Sequence, residues 1–250
     1  LCEFTGINQP WGLLTGVRPI KLFRNVSNEQ GFEKAKEIFA NDYYVSPEKL
    51  NLAVMTEENE RKIIELSKPD SFSLYVGVPF CPSRCSYCSF VMSSIERAKK
   101  LVDPYADLLC EEIKLTAEIA NKLGLRLETV YFGGGTPTTL SAEQLSKVIG
   151  TVNGNFNMSA CREFTVEAGR PDTITAEKLK ALKENNVDRI SINPQTLNDD
   201  VLREIGRKHT VQQFFDAFAL ARKCGFTNIN TDLIAGLPTD TYESFKNSVD

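Results

Sequence analysis

From Leu74 to the end of the chain, short apolar runs alternate with longer segments in which apolar residues recur every three or four positions. Residues 74–78, 128–132, 163–168, 188–192 and 228–234 are short and rich in β-branched or aromatic side chains, so they are predicted as five strands. Between the first two, residues 103–123 place Tyr105, Leu109, Ile113, Thr116, Ala120 and Leu123 on one helical face, and Gly124 follows where a helix-ending glycine belongs. Ser141-Ala-Glu-Gln144 is a capping box that opens the next helix. Further helices are predicted over 176–184, near 199–205, over 211–224 and from 240 onward. Alternation of this kind builds a parallel α/β sheet, either an open doubly wound layer or a barrel, and periodicity alone does not separate the two.

Residues 1–72 read differently. Pro10-Trp-Gly-Leu-Leu-Thr-Gly-Val-Arg-Pro19 is rich in turn formers, and helical spacing follows over 32–39 and 47–66, with Pro47 suited to a first turn. This is a small, mostly helical accessory segment. Lys68-Pro-Asp-Ser-Phe-Ser73 reads as a linker, giving domains over 1–72 and 73–250.

Composition narrows the function classes. With 42% apolar and 25% charged residues the chain is an ordinary globular protein. A net charge of −4, from 29 basic and 33 acidic residues without a basic block, argues against nucleic acid or an anionic membrane surface as the main partner. No apolar run of about 20 residues is present to span a bilayer, and no signal peptide is visible. Seven cysteines, clustered rather than evenly framed, suit a reducing compartment, so a cytoplasmic location is expected. Leu1 at the start and Asp250 inside a predicted helix lead to the expectation of a fragment, with any sixth strand beyond Asp250.

The chemistry is concentrated in Tyr75-Val-Gly-Val-Pro-Phe-Cys81-Pro-Ser-Arg-Cys85-Ser-Tyr87-Cys88. Thiols at C-x3-C-x2-C spacing allow one loop to wrap a single inorganic centre. A four-iron cluster normally takes four protein thiolates, so three would leave one iron open. Zinc is the structural alternative, but it needs a fourth ligand, and the remaining candidates are His209, Cys2, Cys110, Cys161 and Cys224, all distant in sequence. Unliganded thiols are a third reading. In a parallel barrel the site lies at the C-terminal strand ends. The cysteine loop follows strand one, Gly133-Gly-Gly-Thr-Pro137 follows strand two, Glu167 closes strand three, Gln195 follows strand four and Asp232 lies near the end of strand five.

The cysteine spacing, the aromatic Tyr87 before the third cysteine, the Tyr-Val-x-x-Pro-Phe-Cys wording and the Gly133–Pro137 run together resemble radical S-adenosylmethionine (SAM) enzymes. Within these, they are most similar to the oxygen-independent coproporphyrinogen III oxidase family, and Thr15-Gly-Val-Arg-Pro-Ile-Lys21 resembles its HemZ-type branch. The resemblance implies a partial (β/α)6 barrel with Cys81, Cys85 and Cys88 on a [4Fe–4S] cluster whose open iron takes SAM. It implies that Gly134, Gly135 and Thr136 receive the methionine end of SAM, that Tyr75 and Glu167 contact SAM, and that Tyr87 meets its adenine. Gln195, Arg207 and Asp232 match positions lining a second SAM pocket; the 25-residue step from Arg207 to Asp232 spans one helix and returns to the rim, where the two could meet. The implied activity is an oxidoreductase of haem biosynthesis that decarboxylates two propionates of coproporphyrinogen III to vinyl groups, giving protoporphyrinogen IX, with flavodoxin or ferredoxin as electron donor. Two positions depart from the pattern. Phe90 stands where many decarboxylating members carry a fourth cysteine, and Gly77 stands where the best-known oxidases have histidine. The haem-chaperone branch also has Phe there, so a haem chaperone without decarboxylase activity is the alternative.

Overall fold

The computed structural model describes residues 2–250, with side chains from Phe4 onward. The chain divides into two compact units, one ending at Pro69 and one spanning Asp70–Asp250.

The first unit is helical: α1 (Pro19–Gln30), α2 (Phe32–Asn41) and α3 (Pro47–Ile64). Its core is Phe23, Val26, Ala35, Phe39 and Val45, with Phe23 and Phe39 meeting edge to face at 5.0 Å. The sequence reading missed α1, because its apolar stripe is broken by Arg24, Asn25 and Ser27. Pro19 opens it at the first turn, and Gly31, at φ 94, separates it from α2.

The second unit carries five parallel strands: β1 (Ser71–Val78), β2 (Arg126–Gly134), β3 (Glu163–Glu167), β4 (Arg189–Ser191) and β5 (Asn228–Asn230). They are ordered β1-β2-β3-β4-β5, each pairing with the next in sequence. A doubly wound sheet reverses strand order at a switch point. This sheet never reverses, so it winds in the manner of a barrel wall. The helices between strands are α4 (Val102–Lys122), α5 (Ala142–Asn155), α6 (Ala176–Glu184), α7 (Asp199–Glu204) and α8 (Val211–Lys223), with α9 (Tyr242–Val249) last.

Period-two alternation sorts the strands into two faces. Val76, Val78, Val130, Phe132, Phe164, Val166 and Ile190 are buried in one core with the helices. The register sets Tyr75 beside Tyr131, Tyr131 beside Thr165, Thr165 beside Arg189, and Arg189 beside Asn228, a polar and aromatic row on the other face.

Two expectations shift. The buried stripe of α4 is Val102, Ala106, Leu109, Cys110, Ile113, Ala117 and Ala120, and Leu123 is exposed, because small alanines lie nearest the sheet. Strand five is shorter than 228–234, since beyond Asn230 the chain turns to make an isolated bridge between Leu233 and Gln195. Among the described residues, no helix is long and apolar enough to cross a membrane.

Candidate functional site

The strand ends bring the cysteine loop and the glycine run together. β1 ends at Val78, and Phe80–Cys81 forms a two-residue parallel pairing with Ser93–Ser94. The glycine run then threads beneath: Gly135 N donates to Val78 O at 2.7 Å and Thr136 N to Phe80 O at 2.8 Å. A Cβ on Gly135 would stand 2.6 Å from Phe80 O and 3.0 Å from Cys81 Sγ, and Gly134 has φ 101, so neither position admits a side chain. Thr136 Oγ1 lies 3.4 Å from Cys81 Sγ. Burial pushes the Cys81 thiol up, while Thr136 and the charge of Arg170 pull it toward thiolate.

Cys85 is buried, and Cys81 and Cys88 are half-buried; all three thiols are free. Among the described residues, no group of three or more His, Cys, Asp or Glu side chains is gathered to hold a single metal ion. Cys81, Cys85 and Cys88 lie on one loop, and a four-iron cluster is held by thiolates on separate irons.

The chain after α7 clamps the other side of the loop. Ser86 N donates to Ile205 O at 3.0 Å and Ser83 Oγ to Gly206 O at 2.8 Å. Buried Arg207 donates from Nε and Nη2 to the Tyr87 hydroxyl, at 3.3 and 2.9 Å, and from Nη1 to the carbonyls of Gly169 and Asn193, at 3.0 and 3.4 Å. Arg207 therefore fixes the ring of Tyr87 against the ends of β3 and β4.

A second, acidic half of the rim lies across β1, β2 and β3. Tyr75 stacks on Tyr131 with ring centroids 6.0 Å apart, and Tyr131 donates to the Glu167 carboxylate. Burial raises the Glu167 carboxyl above its ordinary value and Asp232 adds to the rise, against the Tyr131 bond. Burial and Glu167 together keep the Tyr131 phenol protonated. Asp232 accepts from Asn230 Nδ2 at 2.9 Å, and its carbonyl accepts from Gln195 N at 3.0 Å. Among the described residues no hydrogen bond or ion pair joins Arg207 and Asp232.

Gln195 is held at φ 69, a conformation costly for a residue with a side chain. Its Oε1, with Asn193 Oδ1 and Thr196 Oγ1, is buried without a hydrogen-bond partner. Three such groups at one strand exit mark a place where a polar ligand belongs. At the ends of β1 and β2, a cavity of about 410 Å³ opens between Tyr75, Gly77, Phe90, Tyr105 and the Gly134–Gly135 step.

Three residues were not read from the sequence: Tyr131, Ser83 and Arg170. Tyr131 lies two residues from the glycine run in β2, a signal available but unused. Arg170 and Ser83 meet only through a fold that brings together positions 87 residues apart.

The family described as the radical SAM superfamily matches residues 75–250. The oxygen-independent coproporphyrinogen-III oxidase-like protein HemZ of Bacillus subtilis is 39% identical over 98% of the chain and 50% of its own length. The heme chaperone HemW of the same organism is 43% identical over 71% of the chain and 46% of its own length. The solved structure of coproporphyrinogen III oxidase (HemN) from Escherichia coli, described as a radical SAM enzyme, superposes with a TM-score of 0.64 at 31% identity, covering 76% of this chain and 43% of that one. The chain spans about half the length of the curated relatives it matches.

Proposed function

Because the chain belongs to the radical SAM superfamily, whose members use a [4Fe–4S] cluster and SAM, we propose that Cys81, Cys85 and Cys88 hold the cluster through three of its irons. Tyr75, Gly134, Gly135, Thr136 and Glu167 would hold SAM beside the cluster's open iron, and Tyr87 would face its adenine. Gln195, Arg207 and Asp232 line a second SAM site. The reaction is oxygen-independent oxidation of coproporphyrinogen III, in which two propionates become vinyl groups and protoporphyrinogen IX results. A small reduced electron carrier of the flavodoxin or ferredoxin class supplies electrons. The free cysteines fit a reducing cytoplasm.

The observation that carries this reading is the junction of the cysteine loop with the glycine run, where Gly135 passes close enough to Cys81 that no side chain fits. The residues present fit the groups proposed. Three thiols from one loop suit a cluster with an open corner. The buried acceptors Asn193 Oδ1 and Gln195 Oε1 lack donors that the hydroxyls or amino group of SAM possess. Burial, with the charge of Asp232 added, raises the Glu167 carboxyl, so a sulfonium or ammonium beside Glu167 would favour its ionised form.

When bound, cluster and SAM together supply one-electron cleavage of the sulfonium and hydrogen abstraction from an unactivated carbon. The protein positions these groups. Tyr131 keeps its proton on Oη and directs it to Glu167, leaving the carboxylate oriented toward the rim. Arg207 holds Tyr87 in place through two N–H bonds. Tyr75, Phe90 and Tyr105 line the cavity with aromatic surface, against which the apolar parts of a substrate would pack.

A second reading, a haem chaperone of the same family, is supported by Phe90, which stands two residues after Cys88 and is 60% exposed. The experiment is product analysis of the complete protein with coproporphyrinogen III, SAM and a reductant under nitrogen. Protoporphyrinogen IX with 5′-deoxyadenosine is expected. Tight haem uptake with no turnover of coproporphyrinogen would establish the chaperone instead.

A further inference from the structure

Arg170 carries the least expected charge in the second unit. It lies three residues beyond β3, it is 3% exposed, and Pro171 after it holds its backbone extended at φ −127 and ψ 106. Its guanidinium faces the cysteine loop. Nη2 donates to Ser83 Oγ at 2.9 Å, and Nη1 donates to Cys85 Sγ and Ser83 O, each at 3.4 Å. Ser83 Oγ passes the chain of bonds on to Gly206 O at 2.8 Å. The nearest carboxylate, Asp172, sits behind the fork, 3.4 Å from Nε.

A stitch between β3 and the loop would need only a neutral donor. Burying a cation is costly unless its charge finds use, and the terminal nitrogens that carry most of it point at sulfur and its neighbours rather than at Asp172. Hydrogen bonds to cluster sulfurs are among the determinants of an iron–sulfur potential, and partners outside the ligand set orient the ligands.

We propose that Arg170 is a positioning residue that locks the cysteine loop to the end of β3 and hydrogen-bonds the Cys85 sulfur, making the centre held there easier to reduce. This rests on the assignment of the three loop thiols to the cluster. A donated N–H and a positive charge both favour the more anionic, reduced state. Removing them shifts the midpoint to more negative values. Lysine keeps the charge without the planar fork, so it restores part of the effect.

The test is a mediated redox titration, followed by electron paramagnetic resonance, of reconstituted wild type, R170Q, R170K and S83A, without SAM or porphyrin. A more negative midpoint in R170Q, an intermediate one in R170K, and faster iron loss to a chelator in R170Q and S83A are expected. Faster iron loss with an unchanged midpoint in every variant reduces Arg170 to a structural stitch and overturns the inference. If R170Q takes up no iron, the R170K and S83A midpoints decide, and wild-type values in both overturn it. A wild type that shows no iron–sulfur absorption overturns the thiol assignment itself, an outcome distinct from unshifted variants.

Discussion

At the scale of single residues, Gly135 is the tightest point of the site. The 2.6 Å approach to Phe80 O is to backbone, which has no rotamer to yield, so a methyl group there must displace the cysteine loop. Overpacking of this kind costs about 1–3 kcal/mol. G135A is expected to lose that much stability in urea unfolding and to retain less iron after anaerobic reconstitution. Gly150 is the control: it lies within α5, and its nearest contact would be Asn185 Oδ1 at 3.7 Å. G150A should be neutral or stabilising by about 0.4–1 kcal/mol. His209 offers a second test. It is buried, and burial, then the charge of Arg207, hold its pKa down to about 4. Arg170 adds to this and Asp172 opposes it. Below about pH 6.5 an unfolded chain binds a proton at this position that the folded chain refuses. Stability should therefore fall as pH drops from about 6.5 toward 4, by roughly 1–2 kcal/mol from this group after allowance for screening. Urea midpoints at pH 7 and pH 5 should differ less in H209Q than in wild type. At this scale the sequence disclosed what is covalently local. The cysteine spacing and the glycine run are legible because their members share one loop or one turn. Arg170 and the engagement of Arg207 with Tyr87 were not, since their partners lie 85 to 87 and 120 residues away and only the folded strand order brings them together.

At the scale of elements, the loop after β2 and the loop after β3 act as one support. Half-buried Lys178, on α6, donates to Thr138 O at 2.6 Å and Thr173 O at 3.1 Å, and the two threonine hydroxyls meet at 2.6 Å. Burial lowers the Lys178 ammonium, yet both acceptors are carbonyls that need its protons. Hydrogen bonds from charged donors contribute about 1.5–3 kcal/mol. K178M is expected to lose roughly that much, with faster amide exchange at Thr136 and Thr139 than in wild type. Unchanged exchange at those amides would show that the glycine run is held by β1 alone. Helix boundaries were readable where caps set them: Ser141 and Gln144 form both bonds of the predicted capping box, and Thr210 with Gln213 forms another. The face of α4 was read correctly at Leu109, Ile113 and Ala120, but Leu123, just past the last helical residue Lys122, is exposed, and the buried Ala106 and Ala117 carry too little hydrophobic signal to be picked out. Strand five was overextended because Leu233 and Ile234 look like strand residues, although the chain there leaves β5 to bridge Gln195.

At the scale of the whole molecule, the fold class was written in the succession of strands and helices, but the choice of barrel winding came from resemblance and was then seen in the unreversed strand order. The two units have separate cores: one drawn from residues between Trp11 and Val54, the other from Phe72 onward. That separation has a thermodynamic consequence. A group that binds only the folded form of one unit stabilises that unit by mass action and leaves the other's own equilibrium unaltered. All three loop thiols belong to the second unit, as do the strand ends around them. Heating the reconstituted protein should therefore give two transitions, and stripping the iron with an anaerobic chelator should lower the one that reports Tyr75, Tyr87 and Tyr131. The transition that reports Trp11, the single tryptophan, should stay where it was, which makes intrinsic tryptophan fluorescence a direct monitor of the first unit. Equal shifts in both signals would show that the centre's binding energy is shared across the chain, and an unshifted tyrosine signal would mean that the three thiols do not hold the iron.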